Sequence, residues 1–245
     1  MDPRKGSMLP PCFPIRLLRS GPLTPNVREL VFERVDLAPF VFEAGQWVNL
    51  VLPLPSGELR RAYSIASAPD GTPRFELAVT NTGGPGSTYL HGLRPGAELE
   101  AMGPQGFFTR PLSAATPSLF VATGTGVTPL RSMLLSALGA SHPAPITLLL
   151  GVRHEGDALY ESAFRDLAET HRSFRFELTM SRPTDQWKGR RGHVQAHVPE
   201  LVTSLGRGDV HVYVCGLLRM VGAVRELLRK ELGFPRLRVH SERYD

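Results

Sequence analysis

Apolar and polar positions alternate along the first half of the chain, whereas the second half carries unbroken apolar runs. Ile15–Arg19, Val27–Arg34, Trp47–Pro53, Ala62–Ala68, Arg74–Thr80 and Glu98–Met102 are short, rich in β-branched and aromatic residues, and divided by Gly/Pro turns. Strands of this length and spacing predict a closed antiparallel Greek-key β-barrel over residues 12–112, with one short helix at Ser87–Gly92. From Ser118 the pattern changes. Leu119–Thr123 and Ile146–Val152 are continuously apolar, as in parallel strands covered on both faces, and Phe174–Met180 and Val210–Val214 read as two more. Pro129–Leu138, Tyr160–His171, His193–Ser204 and Arg219–Leu232 lie between and after them with helical periodicity. Residues 113–245 therefore predict an α/β doubly wound parallel sheet, joined to the barrel by the linker Pro111–Pro117.

Composition narrows the function. Two cysteines, Cys12 and Cys215, exclude a disulfide scaffold and an intrinsic iron–sulfur cluster, and predict a reduced, cytoplasmic protein. The formal charge is +5, with +1 in residues 1–112 and +4 in residues 113–245, which favours a phosphate-bearing ligand or an acidic partner. The basic residues are scattered without an aromatic stripe, which argues against nucleic acid. Asp2, Arg4 and Lys5 with no apolar stretch predict no secretory signal. The uncharged interval from Arg110 to Arg131 is broken by Pro117, Gly124, Gly126 and Pro129, so no membrane span is expected. The eight histidines show no metal-ligand spacing and read as surface or helix-packing residues, and no metal is expected.

Candidate chemistry sits at turns. Gly124-Thr125-Gly126-Val-Thr128-Pro129 follows a predicted strand and opens a predicted helix, where free amides attract phosphate. At the end of the next strand stands Arg153 with no adjacent acid. The third strand ends in Ser181-Arg182, followed by Lys188, Arg190 and Arg191, residues suited to a ribose 2′-phosphate or to a solvated basic loop. Cys215-Gly216 closes the fourth strand. In the first half, Arg61-Ala62-Tyr63-Ser64 puts a cation, a flat ring and a hydroxyl on one strand, and Gly83-Gly-Pro-Gly86-Ser87-Thr88 is a second glycine loop opening a helix.

Taken in order, these pieces resemble the ferredoxin–NADP reductase-like superfamily over about residues 14–245. The motifs are Arg61-Ala62-Tyr63-Ser64, Gly86-Ser87-Thr88, Gly103-Pro-Gln-Gly106-Phe107, Gly124 to Pro129, Cys215-Gly216 with Met220, and Glu242-Arg243-Tyr244. The resemblance implies bound FAD, with Arg61 on its phosphate, Tyr63 stacked on the isoalloxazine, Ser64 near its reactive nitrogen and the Gly86–Thr88 amides on its pyrophosphate. It implies that Cys215 lines the nicotinamide pocket, Glu242 lies near the hydride-transfer centre and Tyr244 shields the flavin. Arg153, Arg182 and Arg190 match 2′-phosphate positions and favour NADPH, while Ser181-Arg-Pro with Trp187-Lys-Gly-Arg also looks like NADH-using oxygenase reductases. The implied activity is hydride transfer from NAD(P)H to FAD, then electron transfer to a separate acceptor such as an acidic ferredoxin, a flavodoxin or an oxygenase component. A flavin-free NAD(P) dehydrogenase and an electron-transfer subunit of a larger complex are the alternatives.

Overall fold

The computed structural model describes residues 11–141, 143–206 and 208–244; the readings of Asp2, Arg4 and Lys5, and the end of the second expected domain at Asp245, lie outside them. Six strands form the first sheet: β1 (Cys12–Thr24), β2 (Val27–Arg34), β3 (Trp47–Leu54), β4 (Gly57–Ser64), β5 (Arg74–Thr80) and β6 (Glu98–Gln105). All neighbouring pairs are antiparallel, in the order β4-β3-β6-β1-β2-β5. A bridge from Ile65 to Leu77, with the Ala66 amide bonded to the Glu76 carbonyl (2.8 Å), brings the two outer strands together and closes a barrel. Alternation drives it. Phe13, Ile15 and Leu17 of β1 point inward while Cys12, Pro14 and Arg16 face solvent. Phe13, Phe40, Phe42 and Phe75 pack in the barrel with ring centroids about 5 Å apart.

The strand expected at Ala62–Ala68 instead runs from Gly57 to Ser64. The Leu54–Gly57 turn sets its start, with Gly57 at φ +113°, and its polar Glu58–Arg61 stretch belongs to an outer strand that needs no buried face.

The second sheet holds β7 (Ser118–Thr123), β8 (Ile146–Val152), β9 (Phe174–Met180), β10 (Arg190–Arg191), β11 (His211–Leu217) and β12 (Val239–Tyr244), all parallel, in the order β10-β9-β8-β7-β11-β12. Helices α2 (Val127–Leu138) and α3 (Glu161–Thr170) pack on one face; α4 (Val198–Ser204) and α5 (Leu218–Glu226) pack on the other. The short helix α1 (Pro85–Gly92) sits on the barrel. The helix expected from His193 starts only at Val198, because Pro199 suits a first helical turn and the preceding residues form a 3-10 turn.

Two elements are absent from the sequence reading, β10 and β12. His211 and His240, expected at the surface or packed on helices, instead lie on β11 and β12 as a stacked, hydrogen-bonded pair (3.0 Å). Barrel residues Val27, Ala44, Ala66, Ala78 and Phe108 share one apolar core with Leu130 and Met133 of α2, so the two sheets form a packed seam. Arg110, at the mouth of the linker, is buried and donates to Ser118 (3.1 Å) and to the Ala114 carbonyl (3.1 Å).

Candidate functional site

Sequence-distant groups meet at the seam. Strand β4 ends as the barrel closes, which turns the Ser64 side chain inward. The C-terminal strand β12 lays Glu242 beside Cys215 and Tyr244 beside Leu217 of β11. The Tyr244 hydroxyl donates to Ser64 Oγ (2.5 Å), Ser64 donates to Glu242 Oε1 (3.4 Å), and Thr128 Oγ1 of α2 lies 3.5 Å from the phenol. Burial pushes the Glu242 carboxyl up, against the Ser64 hydrogen bond. Burial, then the Glu242 charge, drives the Cys215 thiol far above its ordinary range. Cys215 is thus a buried neutral thiol, not a thiolate nucleophile, and it lies behind the cavity wall that Thr123 and Leu217 form. Burial also raises the Tyr244 phenol, which stays protonated and able to donate.

On the barrel side, Arg61 is exposed, and its guanidinium meets no carboxylate among the described residues; Nη1 donates to the Arg60 carbonyl (2.9 Å). Ala62 is exposed and Tyr63 half-buried, with its phenol raised by burial against the opposing Arg61 charge. Helix α1 starts beside them: a Cβ on Gly86 would lie 3.2 Å from Leu59 and 3.5 Å from the Arg61 side chain. The Thr88 amide is spent on the Gly84 carbonyl (3.0 Å), and the Ser87 hydroxyl caps the loop by bonding the Thr82 amide and the Gly84 carbonyl. Of the three expected amide donors, Gly86 and Ser87 remain for a ligand, as first-turn amides do. An uncommitted cation, a flat ring and free helix-start amides on one edge fit a flavin dinucleotide.

On the sheet side, the loop after β7 interlocks with the end of β11. A Cβ on Gly126 would run into the Cys215 carbonyl, and one on Gly216 (φ +144°) would strike Thr123. Thr128 Oγ1 donates to the Thr125 carbonyl (2.8 Å), and Pro129 is buried in the first turn of α2. A cavity of about 690 Å³ opens at the carboxyl ends of the strands, where the strand order reverses between β7 and β11. Its wall includes Gly124, Thr125, Arg153, Ser181 and Met220. Thr24, Asn26 and Thr80 of the barrel close the opposite side, and His193 and Arg219 add to the floor. Thr24, Asn26, Thr80, His193 and Arg219 were not expected; they are ordinary polar residues of strands, turns and a helix, and only the seam turns them towards one cavity.

The three arginines expected on one phosphate separate. Arg153 lines the cavity, and its guanidinium has no partner among the described residues. Arg182 lies outside the wall, its backbone tied to Arg153 (2.9 Å) and to His154 Nδ1 (2.9 Å). Arg190 is engaged elsewhere: it bonds Glu177 (2.7 Å) and both oxygens of Glu200 (2.9 Å each), and these hydrogen bonds raise its pKa. Doubly paired, it serves to hold β9 to α4 instead.

The Oxidoreductase FAD-binding domain family matches residues 14–109, and the Oxidoreductase NAD-binding domain family matches residues 120–226. Ferredoxin–NADP reductase B of Sorangium cellulosum is 60% identical over 238 residues, covering 95% of this chain and 98% of the relative. The chain belongs to the ferredoxin–NADP reductase family. It is an FAD-dependent NAD(P)H oxidoreductase that passes electrons to a separate acceptor. The reductase subunit of an Amycolatopsis aromatic O-demethylase is 33% identical, covering 92% of this chain and 72% of that subunit. The solved Amycolatopsis cytochrome P450 reductase superposes with TM-score 0.83 at 30% identity, covering 99% of this chain and 73% of that one. The FAD/NAD-binding domain of a Vibrio cholerae nitric oxide dioxygenase shares the fold at TM-score 0.84 and 19% identity, covering 95% and 98% of the two chains. Among the described residues no helix is long and apolar enough to cross a membrane, and no group of three or more His, Cys, Asp or Glu could hold a metal.

Proposed function

We propose that residues 12–112 hold FAD, that residues 113–245 hold NADPH, and that the acceptor is an acidic one-electron carrier of the ferredoxin or flavodoxin kind. When bound, FAD accepts a hydride from the nicotinamide and releases electrons singly. This chain's residues prepare that exchange. Arg61 and the Gly86 and Ser87 amides neutralise phosphate, and Tyr63 offers a flat face. The hydrogen-bond chain from Tyr244 through Ser64 to Glu242 crosses the seam, so it would hold hydroxyl protons beside a flavin and nicotinamide bound there. Tyr244 covers this point against water. Gly124, Thr125, Gly126, Thr128 and Pro129 shape the pyrophosphate turn; Met220 walls the cavity, and Cys215 and Gly216 back it where β11 meets that turn.

The observation that carries the donor assignment is Arg153, unpaired in the cavity wall beside Ser181. Asp157, also in the wall, accepts from the His154 amide (3.0 Å) and is held onto its own loop. Arg182, on the neighbouring loop, adds positive potential from outside the wall. Flavin bleaching in a stopped-flow instrument tests this. The wild-type protein is expected to be yellow and reduced faster by NADPH than by NADH. R153A is expected to weaken NADPH about 10- to 100-fold, the range of a lost charge-assisted contact, with little change for NADH. Equal losses for both donors would remove the 2′-phosphate role. The two unpaired cysteines suit a reducing compartment, and we place the protein in the cytoplasm on that ground.

A further inference from the structure

We infer that Arg131 is a positioning residue that fixes the nucleotide loop of one domain against the flavin strand of the other. The inference rests on the function proposed above. Arg131 is the first charged residue after Arg110, and it stands on the otherwise uncharged, largely buried N-terminal half of α2. A cation there needs partners, and it finds them across the seam. Nη1 donates to the Ala66 carbonyl (2.7 Å) and to Glu76 Oε2 (2.7 Å), and its side chain is only 15% exposed. Ala66 lies two residues beyond Ser64, and its amide is bonded to the Glu76 carbonyl. The guanidinium therefore grips both sides of the rung that closes the barrel.

The other face of the guanidinium lies 4.4 Å from the centroid of the Tyr160 ring. Tyr160 is held there against local preference: its backbone is left-handed at φ +57°, and its buried hydroxyl has no hydrogen-bond partner among the described residues. Strain at a residue that stacks on the clamp marks a geometry imposed by the surroundings. Nearby, Gly45 admits α2 so closely that a Cβ would meet the Phe108 carbonyl and Met133. That apolar contact gives adhesion without direction. The Arg131 contacts are directional, and they act five residues from Gly126, through a rigid helix that starts at the pyrophosphate turn. Direction matters because reacting atoms must approach to about 3–3.5 Å, and a 1 Å misplacement costs on the order of 10²-fold.

R131M and R131K in the flavin-loaded protein, with M133A as an apolar control at the same seam, test the inference. R131M is expected to lower the limiting rate of flavin reduction by at least about tenfold, while flavin content and the NADPH dissociation constant stay within about twofold. R131K, keeping the charge but losing the planar guanidinium that lies over Tyr160, is expected to recover part of that loss. M133A is expected to lower thermal stability and leave the limiting rate near wild type. In flavin-free protein, amide exchange over residues 65–77 is expected to quicken in R131M and not in β8. Should R131M fail to fold, E76Q breaks the same ion pair from the barrel side and is expected to slow reduction and quicken the same amides. A limiting rate that is unchanged in R131M, or that falls equally in M133A at matched stability, overturns the inference. If neither nucleotide reduces the wild-type flavin, the proposed function fails instead, and unchanged exchange over residues 65–77 then overturns the clamp by itself.

Discussion

A single methyl group at position 126 would run into the Cys215 carbonyl and approach the Gly216 Cα at 2.6 Å, so the glycine there is required by packing as well as by any ligand. Overpacking of a close backbone contact costs about 1–3 kcal/mol. G126A is therefore expected to lower the melting temperature by about 2–4 °C per kcal/mol in a chain of this size, and to weaken nucleotide binding because the loop must move. G222A makes the comparison, since nothing lies within 4 Å of a Cβ at that α5 position. Scanning calorimetry separates them, and equal melting temperatures for the two variants would dismiss the steric reading. The sequence shows both glycines alike. Only Gly126 follows a strand and opens a helix, which is why its motif was legible while its contact with Cys215 was not. Arg153, Arg182 and Arg190 make the same point with charge: three basic residues near strand ends are visible in the sequence, but only the fold gives Arg190 its partners Glu177 and Glu200 and leaves Arg153 facing the cavity.

Strand β12 shows what an element can hide. Val239–Tyr244 carries no helical periodicity and few strong strand formers, and it pairs only with β11, at the sheet edge. Its upstream half is held by the stack of Tyr213, His240 and His211, with Tyr213 and His240 centroids 4.4 Å apart. Burial, then Arg238 and Arg110, lowers the His211 pKa against the opposing Asp209; burial, then His211, lowers that of His240. A folded-state imidazole pKa below the unfolded value means that the unfolded chain binds more protons between the two. Stability from this pair is thus complete above about pH 6.5 and is lost as pH falls through the lowered values. The melting temperature is expected to fall between pH 7.5 and 5, and H240Q is expected to flatten that slope while costing about 0.5–1.5 kcal/mol at pH 8 for the lost hydrogen bond. A slope unchanged in H240Q would assign the pH dependence to other groups. Because β12 carries Glu242 and Tyr244, loosening it also removes Tyr244 from Ser64.

At the scale of the whole molecule, two sheets with cores of their own pack through a shared apolar seam, and the candidate sites lie along it. The net charge of +5 is concentrated in the second half, which favours rapid encounter with an acidic acceptor. Acceptor reduction under NADPH is expected to slow by about tenfold or more between low and 0.3 M ionic strength, as surface charges are screened, while flavin reduction by NADPH in the absence of acceptor changes much less. Acceptor turnover indifferent to salt would rule out charge steering.

Local pattern by itself determined the two-layer plan: alternation with Gly/Pro turns can bury only one face of a strand, and continuous apolar runs must be covered on both, so barrel and doubly wound sheet follow from periodicity. The glycine turns and the Arg61–Ser64 strand were legible for the same reason, since their chemistry lies within a few consecutive residues. The tertiary structure alone decided the partners. Ser64, Thr128, Glu242 and Tyr244 meet through contacts spanning up to 180 residues of chain. Arg131 acquires Ala66 and Glu76 only once α2 docks on the barrel. Such contacts depend on how two cores share a seam, a long-range property of packing that no window of local sequence contains.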